Sequence, residues 1–268
     1  MQLNNEFSPN PDSVHFSEIR KSLSAFQPIS LKEMDSVMLF DRVDMKFVFH
    51  VDFLPGILDA IKDEYKALEV LNTRIHTYHS LYFDNPDLEH YYRHHNLRRS
   101  RYKFRHRIYV ESDLHFFEIK EKTKNDRTVK SRILKAAKVT TLDDSCKNLV
   151  RENAGVDPSN LSPMLWSNFH RITLVHKERQ ERMTIDINLL FVQNDLSSVY
   201  KTSNTVILEL KQEKKNFTIL LLRELIKRGI RPLGISKYTM GVYFLYDEAR
   251  KNNFIPLDRL IDKIENRK

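Results

Sequence analysis

The chain has 268 residues, and its hydrophobic content of 41% is enough for one large domain or two small ones. Only 5 glycines and 9 prolines exclude a collagen-like or low-complexity chain, and the single cysteine, Cys146, excludes an intrachain disulfide and a cysteine-based metal site. A net charge of +8 indicates an anionic partner, which could be a nucleic acid, a phosphorylated metabolite, polyphosphate or a membrane surface.

Residues 1–35 are predicted to be a polar N-terminal extension with a short helix around 17–26, and residues 36–268 are predicted to be one domain. The first residues lack the basic and apolar regions of a signal peptide. No apolar run is long enough to span a bilayer. We therefore expect a soluble cytoplasmic protein without a transmembrane segment.

The predicted elements alternate between strands and helices along the chain. A strand over 41–49 precedes an amphipathic helix over 53–68, in which apolar residues recur at helical spacing. The remaining predicted strands cover 74–84, 102–110, 114–122, 127–134, 166–176, 182–191 and 205–211. The remaining predicted helices cover 87–94, 142–153, 217–228, 240–251 and 257–265.

Six of the predicted strands alternate charged and apolar residues, and a period of two places these on opposite faces of a sheet. The basic residues at the charged positions, together with Lys122 and Arg171, are Arg42, Lys46, Lys103, Arg105, Arg107, Lys120, Lys130, Arg132, Arg182 and Lys211. The acids at those positions are Asp44, Glu118, Asp186 and Glu209. One predicted face of the sheet is therefore strongly cationic, with a few carboxylates.

A single strand with one charged face is typical of an antiparallel sheet that faces water. Like charges on neighbouring strands repel each other, however, so six such strands together indicate that an anion is bound there. The spacing of Arg105 and Arg107 suits forked contacts to phosphate oxygens. Because the apolar face must pack on helices, we expect an α+β fold: a closed antiparallel β-barrel with a wet lumen and helices packed outside.

Eight motifs then follow one another in the order of a known family. They are Arg42-Val43-Asp44-Met45-Lys46, the segment from Tyr82 to Tyr91, Lys103-x-Arg105-x-Arg107, Phe117-Glu118-Ile119-Lys120, Val129-Lys130-Ser131-Arg132, Arg182-x-x-x-Asp186, Glu209-Leu210-Lys211 and Ser236-Lys237-Tyr238. Over residues 41–247 the chain resembles the polyphosphate-polymerase (vacuolar transporter chaperone, VTC) domain, a branch of the triphosphate tunnel metalloenzymes.

The resemblance implies a polymerase that transfers the γ-phosphate of ATP to a growing polyphosphate chain with Mn2+ or Mg2+. The catalytic residues it implies are Lys46, Arg105, Arg107, Lys120, Lys130, Arg171, Arg182 and Lys237. The implied substrate-binding residues are Arg42, Lys103, Arg132 and Lys211. Glu209 is the implied principal metal ligand, with Glu118 and Asp44 as further ligands.

Two other functions stay open. Hydrolytic relatives tend to carry two glutamates in the first strand, where this chain has Asp44 and Lys46, so a triphosphatase is less well supported. A non-catalytic polyanion-binding module is the second alternative. Nucleic acid is not expected, because Phe104 and His106 point away from the charged face and cannot stack bases there. The expected partners are ATP and polyphosphate, and the oligomeric state is left open.

Other polar residues are predicted to have structural rather than catalytic roles. His90, His94 and His95 are expected at the surface, because their spacing to Glu89 is not that of a zinc-protease helix. Asp84 is expected to act as a cap or turn residue beside the Asn-Pro turn.

Overall fold

The computed structural model describes residues 14–35, 43–124, 127–214 and 216–267. Its helices are α1 (Val14–Ser24), α2 (Leu31–Asp35), α3 (Phe53–Ile61), α4 (Glu89–His95), α5 (Asp144–Ala154), α6 (Leu220–Lys227), α7 (Lys237–Leu245) and α8 (Ile255–Glu265). Its strands are β1 (Gln27–Ile29), β2 (Val43–His50), β3 (Tyr65–Leu68), β4 (His76–Asp84), β5 (Arg101–Tyr109), β6 (Leu114–Lys122), β7 (Thr128–Lys135), β8 (Ser162–His176), β9 (Glu181–Gln193), β10 (Val199–Lys201) and β11 (Thr205–Gln212).

One large sheet organises the fold. Its main path is β2-β11-β9-β8-β4-β5-β6-β7, and all neighbours along that path are antiparallel. β3 joins β8 and pairs in parallel with β1, and β10 extends β9. The predicted mixed fold with a large antiparallel sheet is therefore confirmed. Within the described ranges no ladder of hydrogen bonds joins β7 to β2, so the predicted closed barrel is not confirmed.

The charged positions of the path lie on one face of this sheet. Lys46 is opposite Glu209 across β2 and β11, and Lys103 is opposite Lys120 across β5 and β6. Because residues directly opposite in antiparallel strands share a face, the registers bring the charged parity of every strand to the same side. We call this side the cationic face; it carries Asp44, Lys46, Lys103, Arg105, Arg107, Glu118, Lys120, Lys130, Arg132, Arg171, Arg182, Asp186, Glu209 and Lys211.

A β-bulge changes the parity of β9 in the middle of this face. The register between β8 and β9 shifts between Asn168 and His170, and Asn188 has a φ of 50°. Two residues of β9 thus oppose one of β8, which exchanges the two faces beyond the bulge. As a result Phe191, and not its neighbours, lies on the same side as Asp186 and faces Ser167 across the strands.

Hydrophobic clusters cover both sides of the sheet. On the apolar side, α1, α3 and α6 pack on β2, β8, β9 and β11 around residues such as Phe47, Leu174 and Ile185. This is the arrangement expected from the sequence. On the cationic side, α7 packs over Leu165 and Phe191 at one end of the strands. The prediction that all helices lie outside the barrel is therefore wrong for α7, because the bulge places apolar residues on the cationic side.

Gly241 in α7 makes this close contact possible. A Cβ atom on Gly241 would lie 2.8 Å from Cδ1 of Leu165 and 3.0 Å from Cδ1 of Phe191. Any other residue would therefore require Leu165, Phe191 or α7 itself to shift. The glycine therefore allows α7 to pack closely against Leu165 and Phe191 on the cationic side of the sheet.

Some predicted elements differ from the observed ones. The predicted helix over 53–68 ends at Ile61, and Tyr65–Leu68 is a strand because it pairs with both β1 and β8. The predicted helix over 240–251 begins earlier, at Lys237, where Ser236 caps it by accepting the N–H of Thr239. Among the helices that the structure describes, none is long and apolar enough to cross a membrane.

Candidate functional site

Glu209 lies between two lysines on the cationic face. Its Oε2 is 2.6 Å from Nζ of Lys211, and its Oε1 is 3.9 Å from Nζ of Lys46. Lys46 also donates a hydrogen bond of 3.0 Å to the carbonyl oxygen of Ile235, in the segment that leads into α7. Burial opposes the charge of Glu209, but Lys211, Lys46 and Lys120 outweigh it and hold the pKa of Glu209 well below its usual range.

Glu118 is the buried counter-ion of β5, β6 and β7. Arg105 donates from Nε at 2.8 Å and from NH2 at 2.6 Å to Oε2 of Glu118, while Lys130 contacts Oε1. The side chain of Glu118 is 0% exposed. Burial opposes its charge, but Arg105, Arg107 and Lys130 outweigh the burial and lower the pKa of Glu118. Burial in turn lowers the pKa of Lys130 to about 8, although Glu118 partly offsets this.

Asp186 joins two of the predicted catalytic cations. Arg171 donates two hydrogen bonds to it, of 2.6 and 2.7 Å, and Lys237 contacts its Oδ2. Burial opposes the charge of Asp186, but Arg171 and Lys237 lower its pKa to about 2. Lys237 is the first residue of α7, and its side chain reaches Asp186 from the N-terminal end of this helix.

Two aromatic rings support the guanidinium groups. Tyr78 and Phe169 are stacked with centroids 5.5 Å apart. Phe169 is two residues from Arg171 on β8 and therefore lies on the cationic face, and Tyr78 is opposite it in register. The guanidinium of Arg171 lies 5.0 and 5.1 Å from the two centroids, and that of Arg107 lies 5.5 and 5.9 Å away. Nζ of Lys237 lies 4.5 Å from the Phe169 centroid. These rings stabilise cations without neutralising them.

The lysines in the middle of the face are poorly neutralised. Burial lowers the pKa of Lys120 to about 7; Glu209 works in the opposite direction, while Arg105 and Lys46 add to the lowering. Burial also takes the pKa of Lys103 well below its usual range, and repulsion from Lys46 and Lys120 adds to this. Lys120 on β6 thus interacts with Glu209 on β11, far away along the strand path, which means that the sheet curls and the cationic face is concave.

The remaining predicted site residues lie toward the edges of the face. Arg182 is opposite Lys211, and Asp44 is exposed at the start of β2, also opposite Lys211. Arg132 is exposed on β7, with its guanidinium 4.6 Å from the centroid of Phe116. Arg42 lies outside the described residues. The structure therefore brings the other predicted catalytic and substrate-binding residues to one concave surface, while their roles remain predictions.

The predicted metal ligands are not clustered with one another. In the part of the chain that the structure describes, no group of three or more His, Cys, Asp or Glu side chains could hold a metal ion. Glu209 is 16% exposed between Lys46 and Lys211, and one carboxylate plus substrate phosphate oxygens is a common arrangement for Mg2+. Glu209 therefore fits a metal that arrives with its phosphate substrate. Glu118 has both oxygens engaged by cations, which is the environment of an ion-pair partner.

Several residues of this surface were not found by sequence reasoning. A search for alternating charge does not detect Tyr78, Ser80 or Phe169, although Ser80 accepts a hydrogen bond of 3.1 Å from Nε of Arg107. His94 is close enough to the cationic face that, after burial, Lys103 contributes to lowering its pKa. Strand parity could have revealed Phe169, which is two residues from Arg171 on β8. Tyr78 and Ser80 lie on β4, which has no charge alternation, and His94 lies on α4.

The histidine prediction needs correction. His90 and His95 are each 3% exposed, so they are buried and not surface residues. Both lie on the buried side of α4. The ring of His90 contacts that of Phe104 with centroids 4.9 Å apart, and Nε2 of His95 is 2.8 Å from Oδ1 of Asn252. The role predicted for Asp84 is observed: its carboxylate accepts the backbone N–H groups of His90 and Tyr91 at the start of α4.

The sequence matches the family described as VTC domain over residues 41–246, which is most of the chain. The chain therefore belongs to the VTC domain family, and the resemblance inferred from the motifs is confirmed. A search of curated proteins finds no match.

Several solved structures are similar to this one at low sequence identity. A candidate adenylate cyclase from Bacillus halodurans has a TM-score of 0.48 and 10% identity, covering 75% of this chain and 96% of its own. A candidate adenylyl cyclase from Hippeastrum, described as revealing a dominant triphosphatase activity, has a TM-score of 0.46 and 12% identity, covering 75% and 94%. A candidate adenylate cyclase from Vibrio parahaemolyticus has a TM-score of 0.43 and 13% identity, covering 74% and 95%.

Proposed function

We propose that this protein is a metal-dependent phosphotransferase that transfers the γ-phosphate of ATP to a growing inorganic polyphosphate chain. The observation that carries the proposal is the excess of buried and half-buried cations on one concave surface. Lys103, Lys120 and Lys211 all have lowered pKa values, because burial removes their hydration and few carboxylates replace it. Such a surface is stable in its charged form only when an anion with many oxygens occupies it.

The proposal includes a tunnel that closes around this anion. β7 and β2 are the two ends of the strand path, and Lys46 on β2 interacts with Lys120 on β6, the strand next to β7. A polyphosphate chain there would contact Lys130 on β7 and Lys46 on β2 at once. Membership of the VTC domain family supports this arrangement. A cytoplasmic location remains a prediction from the sequence.

Phosphoryl transfer requires positioning and charge neutralisation more than covalent chemistry. Arg105 and Arg107 are held rigidly by Glu118 and Ser80, so they can bind phosphate oxygens without reorganising. Lys46 stands next to Glu209 and can neutralise the transferring phosphoryl group. The nucleophile is the terminal phosphate of the polymer, which is already an anion and needs no general base.

Glu209 would hold the divalent ion, which supplies further positive charge to the phosphate oxygens when it is bound. The neighbouring lysines position the carboxylate of Glu209. Lys211 contacts one oxygen of Glu209 and Lys46 is near the other, so a metal would compete with Lys46 more easily than with Lys211.

A triphosphatase is the second candidate function. Its chemistry would need a carboxylate or another base to activate water. In the described part of the face, Glu118 and Asp186 are each bound to two cations, which makes them poor bases. This observation favours transfer to a phosphate nucleophile over transfer to water.

One experiment separates the functions. Purified protein is incubated with ATP and Mn2+, and long polyphosphate, ADP and free phosphate are measured together. Long chains with matching ADP support the polymerase, and free phosphate without chains supports the hydrolase. Tight polyphosphate binding without turnover would support a non-catalytic binding module. Lys46→Ala and Arg105→Ala should each abolish turnover, and a full-rate Arg105→Ala protein would contradict the assignment.

A further inference from the structure

Asp84 has a further partner besides the backbone at the start of α4. Its Oδ1 accepts the N–H of Asn85 at 2.8 Å and that of His90 at 3.0 Å, and its Oδ2 accepts the N–H of Tyr91 at 2.9 Å. The hydroxyl of Tyr238 on α7 also donates to Oδ2. Asp84 and Tyr238 are 0% and 1% exposed. One buried carboxylate at the end of β4 therefore joins α4 to α7.

The hydroxyl of Tyr238 is the donor in this bond. Burial raises its pKa well above the usual value, and the negative charge of Asp84 adds to this, so the hydroxyl stays protonated. A hydrogen bond from a hydroxyl to a carboxylate is charge-assisted and stronger than one between neutral groups. The ring of Tyr238 also packs on that of Tyr82, with centroids 5.2 Å apart. A phenylalanine at this position would keep the ring packing and lose only the bond to Asp84.

The residues that precede this tyrosine carry or contact two lysines of the proposed site. Nζ of Lys237 contacts Oδ2 of Asp186 on β9. The carbonyl oxygen of Ile235 accepts a hydrogen bond of 3.0 Å from Nζ of Lys46. The N–H of Leu233 donates to the carbonyl oxygen of Lys46 at 2.8 Å. A shift of this segment would therefore move the side chains of both lysines.

Lys237 occupies a site that a mobile lysine would leave. Its side chain is 12% exposed, and burial lowers its pKa to about 8. Asp186 and, more weakly, Glu209 oppose this lowering, while Arg171 adds to it. An ammonium group on a flexible stem gains hydration when it turns toward water. The first turn of α7 must therefore be fixed if Lys237 is to stay on the cationic face.

We propose that Asp84 and Tyr238 are positioning residues, whose hydrogen bond fixes the first turn of α7 and so holds Lys237 and Lys46 in the geometry that phosphoryl transfer requires. Both are too buried to contact a ligand, so they act through the lysines. The kinetic part of this inference rests on the proposed function. A displacement of about 1 Å at a reacting group can cost on the order of a hundred-fold in rate.

Tyr238→Phe removes the bond, and Tyr246→Phe is the matched control. Tyr246 directly follows the last residue of α7, is also buried, and donates to the carbonyl oxygen of Met164 at 2.9 Å. NMR of the lysine Cε resonances against pH gives the pKa of Lys237, with Lys237→Arg used for its assignment. In Tyr238→Phe we expect this pKa to rise from about 8 toward the 10.5 of a solvated lysine. In Tyr246→Phe it should stay as in the unaltered protein.

ADP release from ATP with Mn2+ is measured for the same proteins. We expect Tyr238→Phe to lower kcat about ten-fold or more and to change the KM for ATP by less than about two-fold, because misplaced cations stabilise the transition state less well. Tyr246→Phe should retain both parameters. A variant that only lost stability would show no such separation of kcat from KM at a temperature where it is folded.

A pKa of Lys237 that stays near 8 in Tyr238→Phe would overturn the inference, and so would equal rises in the two variants. An unchanged kcat in Tyr238→Phe would overturn it as well. If the unaltered protein releases no ADP, the proposed function fails. The pKa of Lys237 in the two variants then decides by itself whether the bond between Tyr238 and Asp84 positions this lysine.

Discussion

Two nitrogens of Arg105 on β5 donate to one oxygen of Glu118 on β6, and Lys130 on β7 contacts the other oxygen. The carboxylate of Glu118 is fully buried, and its negative charge offsets the repulsion between Arg105 and Lys130 when no phosphate is bound. It therefore contributes to stability in the empty protein and sets the geometry of Arg105 for a ligand.

We predict that Glu118→Gln destabilises the protein by about 3–5 kcal/mol, because the change leaves the largely buried guanidinium of Arg105 without its counter-ion and removes the ion pair with Lys130. Urea unfolding followed by the fluorescence of Trp166 measures the loss. Polyphosphate should recover part of it by binding only the folded state. Glu89→Gln is the control, because the exposed pair with Arg93 contributes about 0.5 kcal/mol or less. Similar losses in both variants would contradict the role given to Glu118.

Anion binding should take up protons near neutral pH. The pKa of Lys120 is about 7 in the free protein because of burial, and a bound phosphate must raise it. Above pH 7 a proton must therefore be added when the ligand binds, so the affinity for triphosphate falls as pH rises through 7 to 9. Lys130 and Lys237, whose pKa values are lowered to about 8, contribute in the same direction.

Calorimetry at pH 8 in two buffers of different ionisation enthalpy measures this proton uptake. Lys120→Arg keeps the positive charge but does not titrate in this range, so its uptake should be smaller. Identical uptake in Lys120→Arg and the unaltered protein would show that other groups titrate instead.

Glu209 should determine the metal requirement. We predict that Glu209→Gln raises the Mn2+ concentration needed for half-maximal turnover by about ten-fold or more, because an amide is a weaker ligand for a hard cation. Asp44→Asn should change it by less than about two-fold, since Asp44 is exposed at the end of β2. Mn2+ titration of ADP release compares the two. An unchanged titration in Glu209→Gln would remove this residue from the metal site.

Buried histidines on the opposite side of the sheet should make the protein acid-sensitive. Burial lowers the pKa of His106 and of His170 to about 4, against 6.5 for an ordinary histidine. Between these values the unfolded chain binds more protons than the folded one, so stability falls as pH drops from 6.5 toward 4. Each histidine should remove about 2 kcal/mol at pH 5 relative to pH 8.

His106→Gln tests this prediction, because the amide does not titrate. Urea unfolding at pH 8, 6 and 5 should show a shallower loss of stability on acidification in the variant than in the unaltered protein. The comparison uses the change with pH within each protein, so a constant cost of the substitution cancels. Parallel curves for the two proteins would contradict the assignment.

The charge alternation was sufficient to predict which side of six strands carries the charged residues. Antiparallel pairing keeps opposed residues on one face, so Lys103, Lys120 and Lys130 had to share it once β5, β6 and β7 paired. A short apolar segment does not by itself distinguish a helix from a strand. Tyr65–Leu68 fits both a helix and a strand, and only its pairing with β1 and β8 decides between them.

The sequence by itself determined the large antiparallel sheet, the cationic parity of its strands and membership of the VTC domain family, because these depend on local period and on ordered motifs. The tertiary structure alone decided which charges meet, since the curl of the sheet brings Lys120 to Glu209 from strands far apart along the path. It also decided that the bulge at Asn188 turns apolar side chains toward α7, and that Phe169 and Tyr78 support the cations. Such contacts depend on where the whole sheet bends, and no local pattern in the chain encodes that.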